Sequence, residues 1–219
     1  MIGKTSLSAL RHTLLVLAMA GASAIASAAT TSYHAVIDTT GLAGGGWLDI
    51  QFNPGSLPAP GATATLTHFS GAFGSDFELV GGSGNLAGGI TLSNALQFND
   101  LFHALNLGGK ISFDVSFDGA FASTPGQVGT TFSVGLLAAD QSSYLGRPGC
   151  NAALGDNCSL FQIELTPPSG LSPSSLSLSL PAGSIASVAA AVPEPQSYLL
   201  MLAGLGLVGL VGRRRSKVG

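Results

Sequence analysis

Charged residues are scarce in this chain of 219 residues, and the few present are unevenly distributed. Only 9% of the residues are charged, while 46% are hydrophobic, and this composition excludes a highly charged disordered chain. Between residues 29 and 191 the only bases are Lys110 and Arg147 against ten acids, so this segment has a net charge of −8. Nucleic-acid binding requires a surface rich in Lys and Arg. Nucleic acid is therefore not an expected partner.

Residue spacings that identify catalytic or metal sites are also missing. His34, His68 and His103 are the histidines of this segment, and none belongs to a His-Glu-x-x-His motif. No Gly-x-Ser-x-Gly motif occurs either. We therefore predict a protein that is not an enzyme and has no cofactor. The acids Asp140 and Asp156 leave structural calcium open as an alternative, although EF-hand spacing is lacking.

The N-terminus has the composition of an export signal. The basic residues Lys4 and Arg11 precede a short apolar run, and Ala26 and Ala28 then supply the small side chains that a signal peptidase requires. Residues 1–28 are therefore predicted to be a signal peptide that signal peptidase cleaves after Ala28. An uncleaved anchor or an ordinary buried helix is the alternative.

The C-terminus carries a second and different signal. Residues 192–219 contain Pro193, Glu194 and Pro195, an uncharged span at about 196–212, and a basic cluster at 213–217 that includes Arg213, Arg214 and Arg215. As a helix, the 17 residues of the span would cover ~26 Å, slightly less than the ~30 Å hydrocarbon core of a bilayer. Basic clusters stay on the cytoplasmic side, so we expect a span in the inner membrane with everything before it outside. The signal peptide requires the same orientation.

These C-terminal features resemble the PEP-CTERM sorting domain of Gram-negative bacteria. The resemblance covers 192 to about 217 and rests on Pro193-Glu194-Pro195, the short apolar span and the terminal arginines, in that order. It implies that the chain is a substrate of an exosortase, which recognises the Pro-Glu-Pro residues, and that it belongs with systems that produce exopolysaccharide. The residues 47–55 are similar to uncharacterised β-rich ectodomains of the same family, a likeness that implies no activity. A plain single-pass anchor after a Pro-rich linker is the alternative.

Cys150 and Cys158 are the two cysteines of the chain. In an exported protein a disulfide between them is the first expectation. It would close a loop of nine residues, which corresponds to a stabilisation of about 2–3 kcal/mol through the unfolded state. A zinc site would need four nitrogen or sulfur ligands, and the sequence has no His near this loop.

Alternating polar and apolar residues dominate the middle of the chain. Ile111, Phe113, Val115 and Phe117 share one face of the segment 110–118, which predicts a strand. Shorter runs of the same kind occur at 33–38, 47–52, 62–69, 77–80, 131–137, 159–165 and 174–180. Seven or eight such strands favour an all-β fold, a two-sheet antiparallel β-sandwich with a jelly-roll-like strand order. A barrel is the alternative.

The predicted domain organisation follows from these patterns. The β-sandwich ectodomain is assigned to 29–180, a flexible stalk to 181–191, and the sorting tail to 192–219. Only 94–107 has helical spacing, and we expect at most a short helix or turn there.

The expected core takes the apolar side of each strand. It comprises Trp47, Ile50, Phe52, Leu66, Phe77, Leu79, Ile111, Phe113, Val115, Phe117, Phe132, Val134, Leu136, Phe161, Ile163 and Leu165. Aromatic side chains exposed on a sheet can stack on sugar rings, and Tyr144 and Trp47 are the candidates for a glycan contact, although core packing is the first expectation for Trp47.

Together these observations predict an exported protein that is held in the inner membrane by its tail and then sorted to the cell envelope or extracellular matrix. A structural or adhesive role in exopolysaccharide or biofilm matrix is the first interpretation. A secreted glycan-binding module, or a hydrolase or lyase acting on polysaccharide, is the alternative. The predicted partners are signal peptidase, an exosortase and the inner membrane, with exopolysaccharide as a further candidate.

Overall fold

The computed structural model describes residues 32–191, which form an all-β structure. Within this range it has twelve strands, and the only helices are two single 3₁₀ turns, at Ala120–Ala122 and Ala152–Leu154. The strands are β1 (Ser32–Asp38), β2 (Gly45–Pro54), β3 (Ala62–Ser70), β4 (Phe73–Val80), β5 (Gly82–Asn85), β6 (Gly89–Ser93), β7 (Asp100–Asn106), β8 (Lys110–Gly119), β9 (Thr130–Ala138), β10 (Phe161–Thr166), β11 (Ser175–Ser179) and β12 (Ala186–Ala191).

The strands form two antiparallel sheets of six. Sheet A has the order β12-β1-β8-β3-β6-β5, and sheet B has the order β11-β10-β9-β2-β7-β4. The inner faces of the two sheets meet through aromatic side chains. Phe117 of sheet A lies 6.0 Å from Phe52 and 5.5 Å from Phe132 of sheet B, measured between ring centroids. The prediction of an all-β protein with two antiparallel sheets, packed as a sandwich, is confirmed.

Most of the predicted core residues are buried between the sheets, and three are not. On β2 the buried side chains are Leu48, Ile50 and Phe52. Successive side chains of a strand point to opposite faces, so Trp47 lies on the outer face with Asp49. The prediction of a core position was therefore wrong for Trp47, which is only partly buried.

Two further predicted core residues lie on β4, an edge strand of sheet B, where the prediction fails for Phe77 and holds in part for Leu79. Phe77 is 54% exposed, and Leu79 is only partly buried against the core. An edge strand has a neighbour on one side only, so its side chains are covered less completely than those of a central strand.

The expected helix or turn at 94–107 is also corrected by the structure. Residues Asp100–Asn106 form β7, which pairs with both β2 and β4. Leu101, His103 and Leu105 are buried on its inner face. The alternation of these three residues, with a period of two, determines the local structure, whereas the wider leucine spacing had suggested a helix.

The stalk expected at 181–191 differs from the structure as well. Its last six residues are β12, which pairs along β1 from Ser32↔Ala191 to Ile37↔Ala186. Ala186 is buried and Val188 packs against the core. Backbone pairing with β1, at the opposite end of the domain, therefore orders a segment whose small side chains had suggested flexibility. The sandwich extends to Ala191.

The predicted signal peptide at 1–28 and the sorting tail at 192–219 lie outside the described residues. Among residues 32–191, no helix has the length and apolar character needed to cross a membrane.

Candidate functional site

The outer face of sheet B carries a group of aromatic and acidic side chains at its centre. Asp49 on β2 lies opposite Gly135 of β9 on one side and opposite Phe102 of β7 on the other. Trp47 and Gln51 flank Asp49 on the same face, because side chains two residues apart on a strand point in the same direction.

Three aromatic residues surround the Asp49 position. The rings of Trp47 and Phe102 are stacked, with centroids 4.7 Å apart and planes 7° from parallel. Tyr144 follows β9 and forms a β-bridge with Leu137, and it is 40% exposed. Its ring lies over Gly135, since a Cβ atom built on that glycine would be 3.5 Å from Tyr144 Cε1 and 3.6 Å from Asp49 Cβ. Glycine at this position thus leaves room for the tyrosine ring beside the carboxyl group.

A second carboxyl group lies next to Asp49 on the neighbouring strand. Asp100 is opposite Gln51 in the pairing of β7 with β2, and only 9% of it is exposed. Gln51 Nε2 donates a hydrogen bond of 2.9 Å to Asp49 Oδ2. The Oδ1 atoms of both aspartates are buried and accept no hydrogen bond from the described residues.

Burial and mutual repulsion shift the protonation of this carboxyl pair. Burial raises the pKa of Asp49 above its ordinary value. Burial, followed by the negative charge of Asp49 and then that of Glu78, raises the pKa of Asp100 to about 8. Two ionised carboxylates can only accept hydrogen bonds, whereas a protonated one can donate. At neutral pH the Asp100 carboxyl group is therefore protonated, and it can donate a hydrogen bond to Asp49.

The Tyr144 hydroxyl belongs to the same electrostatic environment. Burial and the charge of Asp49 raise its pKa above the usual value near 10. The tyrosine is thus a neutral hydrogen-bonding group at physiological pH. Aromatic surfaces beside a few polar groups are the usual composition of a site for a small organic ligand.

The histidines lie elsewhere, and two of them share one acid. On sheet A, His34 Nδ1 is 2.6 Å from Asp114 Oδ1 and His68 Nδ1 is 2.8 Å from Asp114 Oδ2. His103 is buried on the inner face of β7, with its ring stacked on Phe77. Within 32–191, no group of three or more His, Cys, Asp or Glu side chains is arranged to hold a metal ion.

The predicted disulfide is present, and it lies in the same connection between β9 and β10 as Tyr144. Cys150 and Cys158 are joined, with a Cα–Cα distance of 5.6 Å. The loop they close is anchored by backbone hydrogen bonds, including Cys150 N to Arg147 O.

The structure brings the two predicted glycan-contact residues, Trp47 and Tyr144, to one face, on either side of Asp49. Sequence reasoning missed the two aspartates of this face. The alternation of side chains along β2 could have indicated Asp49, because this residue lies between the buried Leu48 and Ile50 and shares the opposite face with Trp47. Asp100 could not be found in this way, since its segment was expected to be a helix or turn.

The predicted sorting residues fall outside the described range, so the structure does not locate Ala26, Ala28, Pro193, Glu194, Pro195 or the arginines at 213–215. Comparison with known families finds the PEP-CTERM protein-sorting motif at residues 191–215. No curated protein and no solved structure matches the chain. The chain therefore carries a PEP-CTERM protein-sorting motif at 191–215, and this motif supports an exported protein that is targeted to an exosortase.

Proposed function

We propose that this protein acts in the cell envelope or extracellular matrix, where the outer face of sheet B binds an uncharged polysaccharide. Its role there is structural or adhesive, within exopolysaccharide or a biofilm matrix. The sorting motif supports the first half of this proposal, since it implies export and membrane-anchored sorting. Signal peptidase and an exosortase are the processing partners, and the C-terminal span holds the chain in the inner membrane until the tail is processed.

The observation that carries the binding role is the aromatic group at the centre of sheet B. Trp47 and Phe102 are stacked and only partly buried, and Tyr144 lies beyond Asp49 on the same face. Sugar rings have apolar C–H faces that pack against aromatic rings and hydroxyl edges that hydrogen-bond to carboxyl and amide groups. The side chains of Asp49 and Gln51 supply such polar partners between the rings.

The charge of the domain supports an uncharged ligand. Residues 29–191 have a net charge of −8, and none of the salt bridges among residues 32–191 joins Lys or Arg to either aspartate of the site. An anionic polymer would be repelled by this surface, whereas a neutral glycan is not.

Affinity electrophoresis tests the proposal. The exported chain, in mild detergent, is run through native gels that contain dextran, galactomannan or xyloglucan, with alginate as the anionic comparison. We expect retardation by at least one neutral polymer and none by alginate. Trp47→Ala should weaken the binding by about tenfold, since the loss of an aromatic contact of this size costs about 1.4 kcal/mol.

Phe98→Ala is the matched control, because it removes an aromatic side chain that is 50% exposed and lies in the connection between β6 and β7. It should bind as tightly as the unmodified protein. If the polymer slowed the Trp47→Ala and Phe98→Ala variants equally, the binding surface would not be the outer face of sheet B.

The carboxyl pair favours a second candidate, a hydrolase or lyase acting on polysaccharide. Asp100, with its pKa raised to about 8, holds a proton at neutral pH as a general acid does. Most glycosidases, however, separate their two carboxyl groups by about 5–10 Å around an open cleft, whereas the Asp100 side chain is almost fully buried beside Asp49 on the neighbouring strand. The release of new reducing ends from any of the three neutral polymers, lost in Asp100→Asn, would establish this alternative.

We also propose that β1–β4 and β6–β8 have the strand order of a jelly roll, from which β5 departs because it pairs with β6 in sheet A. In sheet A, β8 lies between β1 and β3, followed by β6, and in sheet B, β7 lies between β2 and β4. This alternation of early and late strands between two sheets is what two successive Greek keys produce. The strands β9–β12 then extend the edges of the two sheets beside β2 and β1.

A further inference from the structure

The edge strands of the two sheets differ in how they are protected from pairing with another chain. β5 and β12 are the edges of sheet A, and β4 and β11 are the edges of sheet B. Proteins usually protect an edge strand with charged side chains, a bulge or a short length. β4 carries the exposed acids Asp76 and Glu78, and its register with β7 shifts between Phe73 and Phe77. β5 is only four residues long. These two edges are therefore protected.

β11 has none of these protections. Residues 165–191 contain no charged side chain, and β11 pairs with β10 in an unbroken register. Pro173 and Pro181 lie outside the strand, so every residue of β11 keeps its backbone N–H. Among residues 32–191, no backbone hydrogen bond beyond the ladder with β10 involves this strand. One row of its backbone donors and acceptors is thus available to a further strand.

The leucine side chains of this edge are incompletely covered. Leu176 and Leu178 lie opposite the buried Leu165 and Ile163 of β10, so they continue the inner face of sheet B. Leu178 is nevertheless 37% exposed, and Leu180, just after the strand, is 46% exposed. A further strand beside β11 would cover this apolar surface.

The sequence of β11 is complementary to itself in an antiparallel arrangement, because it reads Ser-Leu-Ser-Leu-Ser in both directions. A two-fold axis through Ser177 would place Leu176 opposite Leu178 of a second copy. Ser175 would lie opposite Ser179. Residues opposite each other on antiparallel strands point to the same face, so the leucines of both copies would share the inner face. A two-fold interface requires a patch that is complementary to itself in this way.

Charge restricts where two copies of this domain can meet. Residues 29–191 have a net charge of −8, so most pairs of surfaces repel each other. The acid beside β11 is Glu164, which lies opposite Ser177 on β10. In the two-fold arrangement the two Glu164 residues are separated by three strand spacings, ~14 Å. This distance exceeds the Debye length of ~8 Å at physiological ionic strength, so their repulsion is largely screened.

We propose that β11 is a docking edge for β11 of a second copy of this chain, and that the two B sheets join into one continuous sheet about a two-fold axis through Ser177. The free backbone groups of the two edges pair, and the leucines of the two strands cover one another. The outer faces of both B sheets then point to the same side of the joined sheet. The inference does not depend on what those faces bind.

Cysteine cross-linking of the exported full chain, in mild detergent, tests the register. Ser177→Cys introduces the only free thiol, because Cys150 and Cys158 are joined. Opposite Cα atoms of paired strands are ~4.5–5.5 Å apart, which is within the range that a disulfide bridges. We expect a mild oxidant to convert most of the Ser177→Cys chain into a covalent dimer.

Two further cysteine variants are the controls. Ser179→Cys places the two thiols four residues apart along the strands, ~13 Å, and should cross-link little. Ser187→Cys, an exposed position of the uncharged edge strand β12, should also cross-link little. Equal cross-linking at all three positions, or none at Ser177→Cys, would overturn the proposal.

A second measurement tests the role of the leucines. Sedimentation of the exported full chain in excess detergent should show a dimer that dissociates on dilution. Leu178→Lys should raise its dissociation constant by about tenfold or more, since a leucine loses its apolar cover. Leu171→Lys, at a fully exposed position before β11, is the matched control and should leave the constant unchanged. A chain that is monomeric at every concentration, or equal effects of the two lysines, would show that a second copy does not occupy this edge.

Discussion

Asp100→Asn should change how the stability of the domain depends on pH. The pKa of Asp100 is raised from its ordinary value of 3.8 to about 8 in the folded protein. Between these values the folded protein keeps a proton that the unfolded chain releases, so the free energy of unfolding decreases as the pH rises. The decrease approaches about 1.4 kcal/mol for each pH unit, or about 2–3 kcal/mol between pH 5 and pH 7. Below the ordinary value both states are protonated, and the contribution of this group is constant.

Asparagine does not titrate, so the variant should lose most of this dependence and keep only the smaller part that comes from Asp49, whose pKa is also raised. The measurement is urea unfolding at pH 5, 6, 7 and 8, followed by the fluorescence of Trp47. This is the only tryptophan of the chain, and it lies on the same face as the carboxyl pair. Parallel profiles for the unmodified protein and the variant would refute the reasoning.

Three further predictions concern the stability of the fold. Reduction of the Cys150–Cys158 disulfide, or Cys150→Ser with Cys158→Ser, should lower the free energy of unfolding by about 2–3 kcal/mol; urea curves with and without reductant check this, and coincident curves would contradict it. Phe52→Ala removes a fully buried ring from the contact between the sheets and should cost about 3–5 kcal/mol in the same assay, whereas a loss below 1 kcal/mol would argue against a packed interface. Gly84→Ala should destabilise the fold by on the order of 1–3 kcal/mol, because φ at this residue is +113° and the added Cβ would clash with a backbone oxygen of β6. Gly88→Ala is the control, since its Cβ would meet no atom closer than 3.5 Å. Equal effects of the two substitutions would refute the β5–β6 hairpin.

The sequence predicted those parts of the fold in which each strand has its own clear alternation. The segment 110–118 was expected to be a strand and is the core of β8, and Ile111, Phe113 and Val115 are all buried as expected. Strands were missed where the residues are small or where the burial depends on a distant partner. β5 is composed of Gly, Ser and Asn, and β12 is largely Ala, so neither has an apolar pattern of its own.

The candidate site was only half predictable for a related reason. An exposed tyrosine and a tryptophan are visible in the sequence as possible contacts, and both lie on the outer face of sheet B. The carboxyl pair is not visible, because Asp49 and Asp100 are 51 positions apart and become neighbours only through the register of β2 with β7. Their raised pKa values arise from burial and from each other, and neither cause can be read from the local sequence.

The pairing of β1 with β12 affects the order in which the exported chain can finish folding. β1 is the first strand of the described residues, yet its outer neighbour is their last strand, β12. Ser32 and Ala191 are opposite each other, and the sorting motif begins at that same alanine. The β1–β12 edge of sheet A therefore forms only after the whole domain has been synthesised. A protease or transpeptidase that cleaves the chain close to the Pro-Glu-Pro residues would act within a few residues of this sheet edge. A flexible linker inserted after Ala191 should therefore make the cleaved peptide bond easier for the enzyme to reach.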